Sequence, residues 1–150
     1  MNTLMMLLVM GTGQVTGAGE NGWSDDYGAA LKQAKQLGKP LLIVIERPDD
    51  SVARLEQISL RDDRGQTALL KHYVLCRIDA TTKYGKAVAK SFRATQLPHT
   101  AVIDKTVSTI LYTKRGQFTS QEWKTTLTKY RHGVRVVHSR TRRQPVYCAT

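Results

Sequence analysis

The sequence is poor in cysteine, and the cysteines it has lie far apart. Cys76 and Cys148 are its two cysteines, separated by 72 positions in a chain of 150 residues. Neither has a neighbour at the spacing of a metal site or a Cys-x-x-Cys redox motif. This pattern excludes a small scaffold held together by disulfides. A chain of this length can instead bury a sizeable apolar core as one domain.

Other residues that carry chemistry are equally sparse. The acidic pairs Asp49-Asp50 and Asp62-Asp63 are more typical of helix caps and surface loops than of a metal or acid–base site. No glycine-rich phosphate loop occurs. The four histidines are scattered and form no zinc-binding motif: His72, His99, His132 and His138. The sequence therefore predicts no metal, no cofactor and no recognisable set of catalytic residues.

No apolar run is long enough to cross a bilayer as a helix. Residues 1–10 form a short apolar block, and small residues follow as far as Ala18. Such a pattern is typical of a cleavable export signal, although no Lys or Arg precedes the apolar core. We therefore predict an export signal over residues 1–18 and a periplasmic or secreted protein. The alternative is a disordered leader on a cytoplasmic protein.

Negative charge is almost missing from the second half of the chain. Residues 1–80 contain nine Lys/Arg and ten Asp/Glu, whereas residues 81–150 contain fourteen and two. This asymmetry indicates contact with an anionic surface or nucleic acid, or else a solvated basic face. Residues 133–150 lack apolar periodicity and predict a flexible basic tail.

The apolar patterns of residues 23–131 predict alternating strands and helices. An unbroken apolar run at Leu41–Ile45 is typical of a strand buried on both faces. We expect a helix after Ser24, further strands at 73–79, 100–103 and 107–113, and a helix after Thr82 with Tyr84, Ala87, Val88 and Phe92 inward. The last helix has a capping box at Thr119 and Glu122, with Phe118 and Trp123 as a hydrophobic staple.

Two short candidate segments adjoin the predicted strands. The first follows the buried strand and could cap a helix with Val52, Leu55 and Ile58 inward. The second places a proline just before a strand, where its missing N–H is tolerated. The candidate residues of the first segment are Arg47, Pro48, Asp49, Asp50 and Ser51. Those of the second are Leu97, Pro98, His99 and Thr100.

The order and spacing of these elements resemble the thioredoxin-like superfamily over residues 23–131. Leu97-Pro98-His99-Thr100 is similar to the family's cis-proline loop, and Gly38-Lys39-Pro40 and Arg115-Gly116 are similar to two further landmarks. The resemblance implies an α/β fold, a three-layer sandwich with a central mixed β-sheet and helices on both faces. It also implies a cis bond between Leu97 and Pro98.

The resemblance fails where the family's redox chemistry resides. Redox-active members carry two cysteines at the start of the helix after the first strand, and here residues 48–51 contain no sulfur. We therefore expect a non-catalytic thioredoxin-like domain that binds a protein or peptide through the cis-proline face. The resemblance implies that Arg47–Ser51 and Leu97–Thr100 form this face. One alternative is an atypical thiol-disulfide oxidoreductase that uses Cys76 or Cys148. Another is non-specific binding of anionic surfaces or nucleic acid by the basic half.

Overall fold

A computed structural model describes residues 22–56 and 64–135, and a five-stranded sheet is its centre. The strands are β1 (Trp23–Ser24), β2 (Leu41–Glu46), β3 (Val74–Asp79), β4 (His99–Ile103) and β5 (Ile110–Arg115). They lie in the order β1-β3-β2-β4-β5. The pairs β1–β3 and β2–β3 are parallel, whereas β2–β4 and β4–β5 are antiparallel. The sheet is therefore mixed, as predicted.

Helices cover both faces of this sheet and give three layers. They are α1 (Tyr27–Leu37), α2 (Arg64–Leu70), α3 (Lys83–Ser91) and α4 (Ser120–Tyr130). Ala30, Ala34 and Val88 bring α1 and α3 against Ile43 and Ile45 on one face. Trp123 and Leu127 bring α4 against Leu42 and Val44 on the other, with Leu69 and Leu70 of α2 at its margin. The predicted fold class is confirmed.

Strand β2 lies at the centre of the core because its side chains are apolar on both faces. All six of its residues are buried, including Glu46 at its end. Such a strand has no solvated face and so shows no alternation. Its neighbours in the core are buried as well: Ile78 of β3, Val102 of β4 and Trp123 of α4.

Capping residues fix the ends of the helices as the sequence indicates. The Thr119 hydroxyl accepts the N–H of Glu122, whose carboxylate accepts the N–H of Thr119, so the capping box is complete. The ring centroids of Phe118 and Trp123 are 5.0 Å apart in an edge-on contact. Thr82 caps α3 by accepting the N–H of Gly85 at 2.9 Å.

Several local predictions differ from the structure. Ser24 lies in β1, and Asp26 caps α1. Strand β5 begins at Ile110, because the Asp104 carboxylate accepts the N–H groups of Ser108 and Thr109 and so extends the turn.

On α3, Val88 and Gly85 are buried and Phe92 is half-buried, whereas Tyr84 and Ala87 are exposed. The predicted inward side of this helix was therefore partly wrong.

The predicted export signal and most of the predicted basic tail lie outside the described residues. Gly133 ends the described core by accepting the N–H of Lys105 at 3.2 Å through its carbonyl. Within residues 22–56 and 64–135, no helix is long and apolar enough to span a membrane.

Candidate functional site

The sheet register brings the two candidate segments to the same end of the molecule. Ile45 of β2 pairs with His99 of β4 in antiparallel fashion. The chain therefore leaves β2 towards Arg47 at the point where it enters β4 from Pro98. The peptide bond between Leu97 and Pro98 is cis.

Hydrogen bonds within the loop after β2 close it into a compact turn. The N–H of Arg47 donates to the carbonyl of Ala53 at 3.1 Å, and the Arg47 carbonyl accepts the N–H of Asp50 at 3.2 Å. The Asp50 carboxylate accepts the N–H groups of Val52 and Ala53 at 3.0 and 3.3 Å. An aspartate that binds the backbone two residues on forms an Asx turn. The loop is thus ordered by its own polar groups.

This turn replaces the helix start that the sequence predicts at Asp49–Ser51. Residues 48–54 form turns, and helical structure begins only at Glu56. Leu55 is buried as predicted, but Val52 is 77% exposed instead of facing inward. Ile58 lies outside the described residues. The loop therefore presents an apolar side chain to solvent.

Glu46, at the end of β2, anchors the loop to the sheet. One of its carboxylate oxygens accepts the N–H of Leu55 at 2.7 Å, and the other pairs with the guanidinium of Arg77 on β3. Glu46 is fully buried, and a buried carboxylate is stable only when it is paired and hydrogen-bonded. The sequence did not indicate this role, since Glu46 reads as the polar residue that ends an apolar strand.

A second anchor comes from Gln117, just after β5. Its side-chain amide nitrogen donates to the carbonyls of Val52 and Arg54 at 3.2 and 2.5 Å. Its amide oxygen accepts the N–H of Glu56 at 3.3 Å. One side chain thus satisfies three backbone groups of the loop. No signal in the sequence pointed to Gln117.

Gly116 connects this anchor to the proline segment. Its N–H donates to the carbonyl of Pro98 at 2.8 Å. Its φ of 80° is a left-handed conformation that glycine adopts at little cost. Gly116 therefore binds the proline segment, and the adjacent Gln117 binds the loop that follows Arg47–Ser51.

The backbone groups of Leu97, like those of Gln96 before it, form no hydrogen bond within the described part of the chain. Leu97 itself is half-buried and packs against the core below it. Leu97 therefore offers one backbone donor and one backbone acceptor beside the loop.

The nine predicted site residues divide by exposure. Arg47, Pro48, Asp49, Asp50 and Ser51 are exposed, Leu97 is half-buried, and Pro98, His99 and Thr100 are buried. His99 lies 6.5 Å from Phe92, measured between ring centroids. Burial, helped by the charge of Arg115, lowers the pKa of the His99 imidazole, which favours its neutral form. His99 and Thr100 are therefore placed beneath the face and not on its surface.

Cys76 lies in the interior, away from this face. It is fully buried in β3, as its apolar neighbours predict. Burial, and next the charges of Asp26 and Asp25, raise the pKa of its thiol to about 12. A thiol is nucleophilic as the thiolate, so this environment opposes reaction at neutral pH. Cys148 lies outside the described residues.

No group of three residues with metal-binding side chains occurs in the described part of the chain. The site is instead a surface of backbone groups and a polar, tightly bonded loop.

Comparison with known proteins defines the family of this chain. A family model described as thioredoxin-like matches residues 22–105. That match covers more than half of the sequence, and the chain belongs to this thioredoxin-like family. A comparison with curated proteins finds no significant match.

Two solved structures illustrate the likeness in fold. A thioredoxin from Thermus thermophilus has a TM-score of 0.57 at 18% identity, over 69% of this chain and 82% of its own. A disulphide isomerase from Xylella fastidiosa Temecula1 has a TM-score of 0.53 at 22% identity, over 68% and 86%. At these identities, the likeness shows the fold alone.

Proposed function

We propose that this protein is a non-catalytic thioredoxin-like domain that binds an extended polypeptide. The binding face consists of residues 47–52 and residues 97–98. The observation that carries this proposal is the unpartnered backbone of Leu97. An extended peptide that pairs with this donor and acceptor gains main-chain hydrogen bonds, as in other cases of strand addition.

The loop after β2 supports the proposal because its shape is fixed before a partner arrives. The bonds from Glu46 and Gln117 hold it without any partner. A preorganised surface loses less conformational freedom on binding, which raises affinity. Val52 then supplies exposed apolar area at the side of the loop. We expect the partner to place an apolar side chain against it.

Thiol exchange has little support as the function of this face. In this loop Asp50 forms an Asx turn, and residues 47–56 contain no sulfur. A carboxylate cannot form a mixed disulfide. The redox alternative therefore depends on Cys76 or Cys148, and the burial of Cys76 opposes the first of these.

A displayed library of unstructured, cysteine-free peptides tests the proposal. We expect selection to yield peptides that bind the wild-type protein and bind Val52→Asp about tenfold or more weakly, since a charge replaces an apolar contact. The control is Ile110→Asp, because Ile110 is also exposed but pairs with Ile103 at the opposite end of the sheet. Equal losses for the two variants, or no selectable peptide, would contradict the proposal.

A further inference from the structure

Helix α3 carries a stripe of lysines on its outward side. Each residue of a helix turns by about 100°, so Lys83, Lys86 and Lys90 point within about 60° of one another. Val88, which packs into the core, points the opposite way. All three lysines are exposed. The helix is thus amphipathic, and all the charged side chains on its polar side are positive.

Close packing fixes the direction in which this stripe points. Gly85 lies against the turn that leads into α3, and a Cβ there would meet the carbonyl oxygen of Asp79 at 1.8 Å. This close contact therefore opposes rotation of α3 about its own axis, the motion that would be needed to bury the lysines. Arg93, exposed directly after the helix, extends the run of cations.

The acids next to the two helices of this face lie before their first turns, with Asp25 and Asp26 before α1 and Asp79 before α3. Helix α1 packs on the same side of the sheet and adds exposed Lys32 and Lys35. Neither α1 nor α3 contains an Asp or Glu. Within residues 22–56 and 64–135, no carboxylate forms an ion pair with the α3 lysines.

This arrangement is unfavourable for the isolated helix. Lysines three and four positions apart repel one another. Lys83 also lies in the first turn, near the positive end of the helix dipole, where an acid would stabilise. The charges of the stripe therefore do not stabilise the helix, whereas an external anionic partner would compensate them.

We propose that the α3 stripe docks the protein on a membrane surface rich in anionic phospholipid headgroups. Three cations that point in one direction from a convex helix can meet a flat array of charges together. Lysine is a point charge that needs no fixed ligand geometry, and lysine clusters on amphipathic helices suit anionic lipid surfaces. Tyr84 follows Lys83 in the sequence, but it lies about 100° or more around the helix from each of the three lysines, and its hydroxyl accepts the N–H of Tyr27 on α1. No aromatic or amide side chain therefore lies within the stripe to stack on or read bases, which disfavours nucleic acid.

Co-sedimentation with phosphatidylcholine vesicles, with and without phosphatidylserine, tests this docking. We expect the full-length protein to bind only the phosphatidylserine vesicles and to be released by high salt. Each lysine near such a surface contributes roughly fivefold to partitioning, so removing three charges should weaken binding by about a hundredfold. The variant is Lys83→Gln/Lys86→Gln/Lys90→Gln.

A second triple variant controls for net charge. It neutralises three exposed lysines outside α1 and α3: Lys71, Lys105 and Lys129. We expect it to keep most of the vesicle binding. An equal loss of vesicle binding in the two triple variants would overturn the proposal. Failure of the wild type to bind phosphatidylserine vesicles would overturn it too. Tighter binding of an oligonucleotide than of vesicles through the same stripe would overturn it in favour of nucleic acid. These outcomes are independent of the peptide face.

Discussion

The side-chain amide of Gln117 donates to the backbone carbonyl of Arg54 at 2.5 Å and so joins the end of β5 to the loop after β2. The residue before it, Gly116, donates to the carbonyl of Pro98. Two consecutive residues therefore hold both segments of the proposed face. Disturbing this connection should loosen the face while leaving the sheet intact.

Replacement of Gln117 by alanine should release the loop. The variant loses three hydrogen bonds to exposed backbone groups that water can partly replace, so we expect about 1–2 kcal/mol lower stability in urea unfolding. The amide of Glu56, which donates to Gln117, should exchange with solvent faster. Gln121→Ala, at an exposed position of α4, is the matched control. Unchanged exchange at Glu56 would contradict the role of Gln117.

Replacement of Glu46 should cost far more stability. Glu46→Ala leaves the N–H of Leu55 and the guanidinium of Arg77 without their partner. Breaking a buried ion pair typically costs 3–5 kcal/mol, and because Arg77 reaches water we expect about 3 kcal/mol in urea unfolding.

The exposed pair of Lys114 and Glu122 provides the comparison for Glu46. Lys114→Met should destabilise much less, since exposed ion pairs contribute little. Similar losses of stability in Glu46→Ala and Lys114→Met would mean that burial does not decide the strength of the Glu46 contacts.

His99 should make stability depend on pH in the acidic range. Its pKa is lowered in the folded protein, so the unfolded chain binds a proton first as the pH falls below about 6.5. The stabilising contribution is thus present above that pH and is lost below it. We expect urea unfolding at pH 7.5 and 5.5 to show a smaller difference for His99→Leu than for the wild type. His72→Leu, at an exposed histidine, should keep the wild-type difference, and a reduced difference there would contradict the assignment.

The Cys76 thiol should stay unreactive in the folded protein. In a Cys148→Ser background, Ellman's reagent should label Cys76 only as the protein unfolds, because burial raises the pKa of this thiol to about 12. Neither this variant nor the wild type should accelerate the reduction of a disulfide substrate by dithiothreitol. Rapid labelling under native conditions, or activity lost on Cys76→Ser, would favour the redox alternative.

The sequence predicted the sheet well because its signals there are local and strong. Leu41–Ile45 is apolar on both faces, and the caps of α3 and α4 lie within three residues of their partners. The two-residue strand β1 escaped prediction because such a short strand has no periodicity of its own.

The candidate site was predictable only in outline. The family resemblance implied that Arg47–Ser51 and Leu97–Thr100 form one face, but the residue pattern assigned Val52 to a buried helix face. Contacts from Gln117, over sixty positions away, hold the loop in its observed shape. Such long-range bonds are not part of local helix propensity. In this loop these tertiary contacts outweigh the helical pattern of the sequence.

Hydrogen exchange at the amide of Leu97 tests the central claim most directly. This N–H has no partner among the described residues, so it should exchange rapidly in the free protein. Saturation with a selected cysteine-free peptide should slow it by about tenfold or more, the effect of one added hydrogen bond. Unchanged exchange at Leu97 with peptide bound elsewhere would contradict the account.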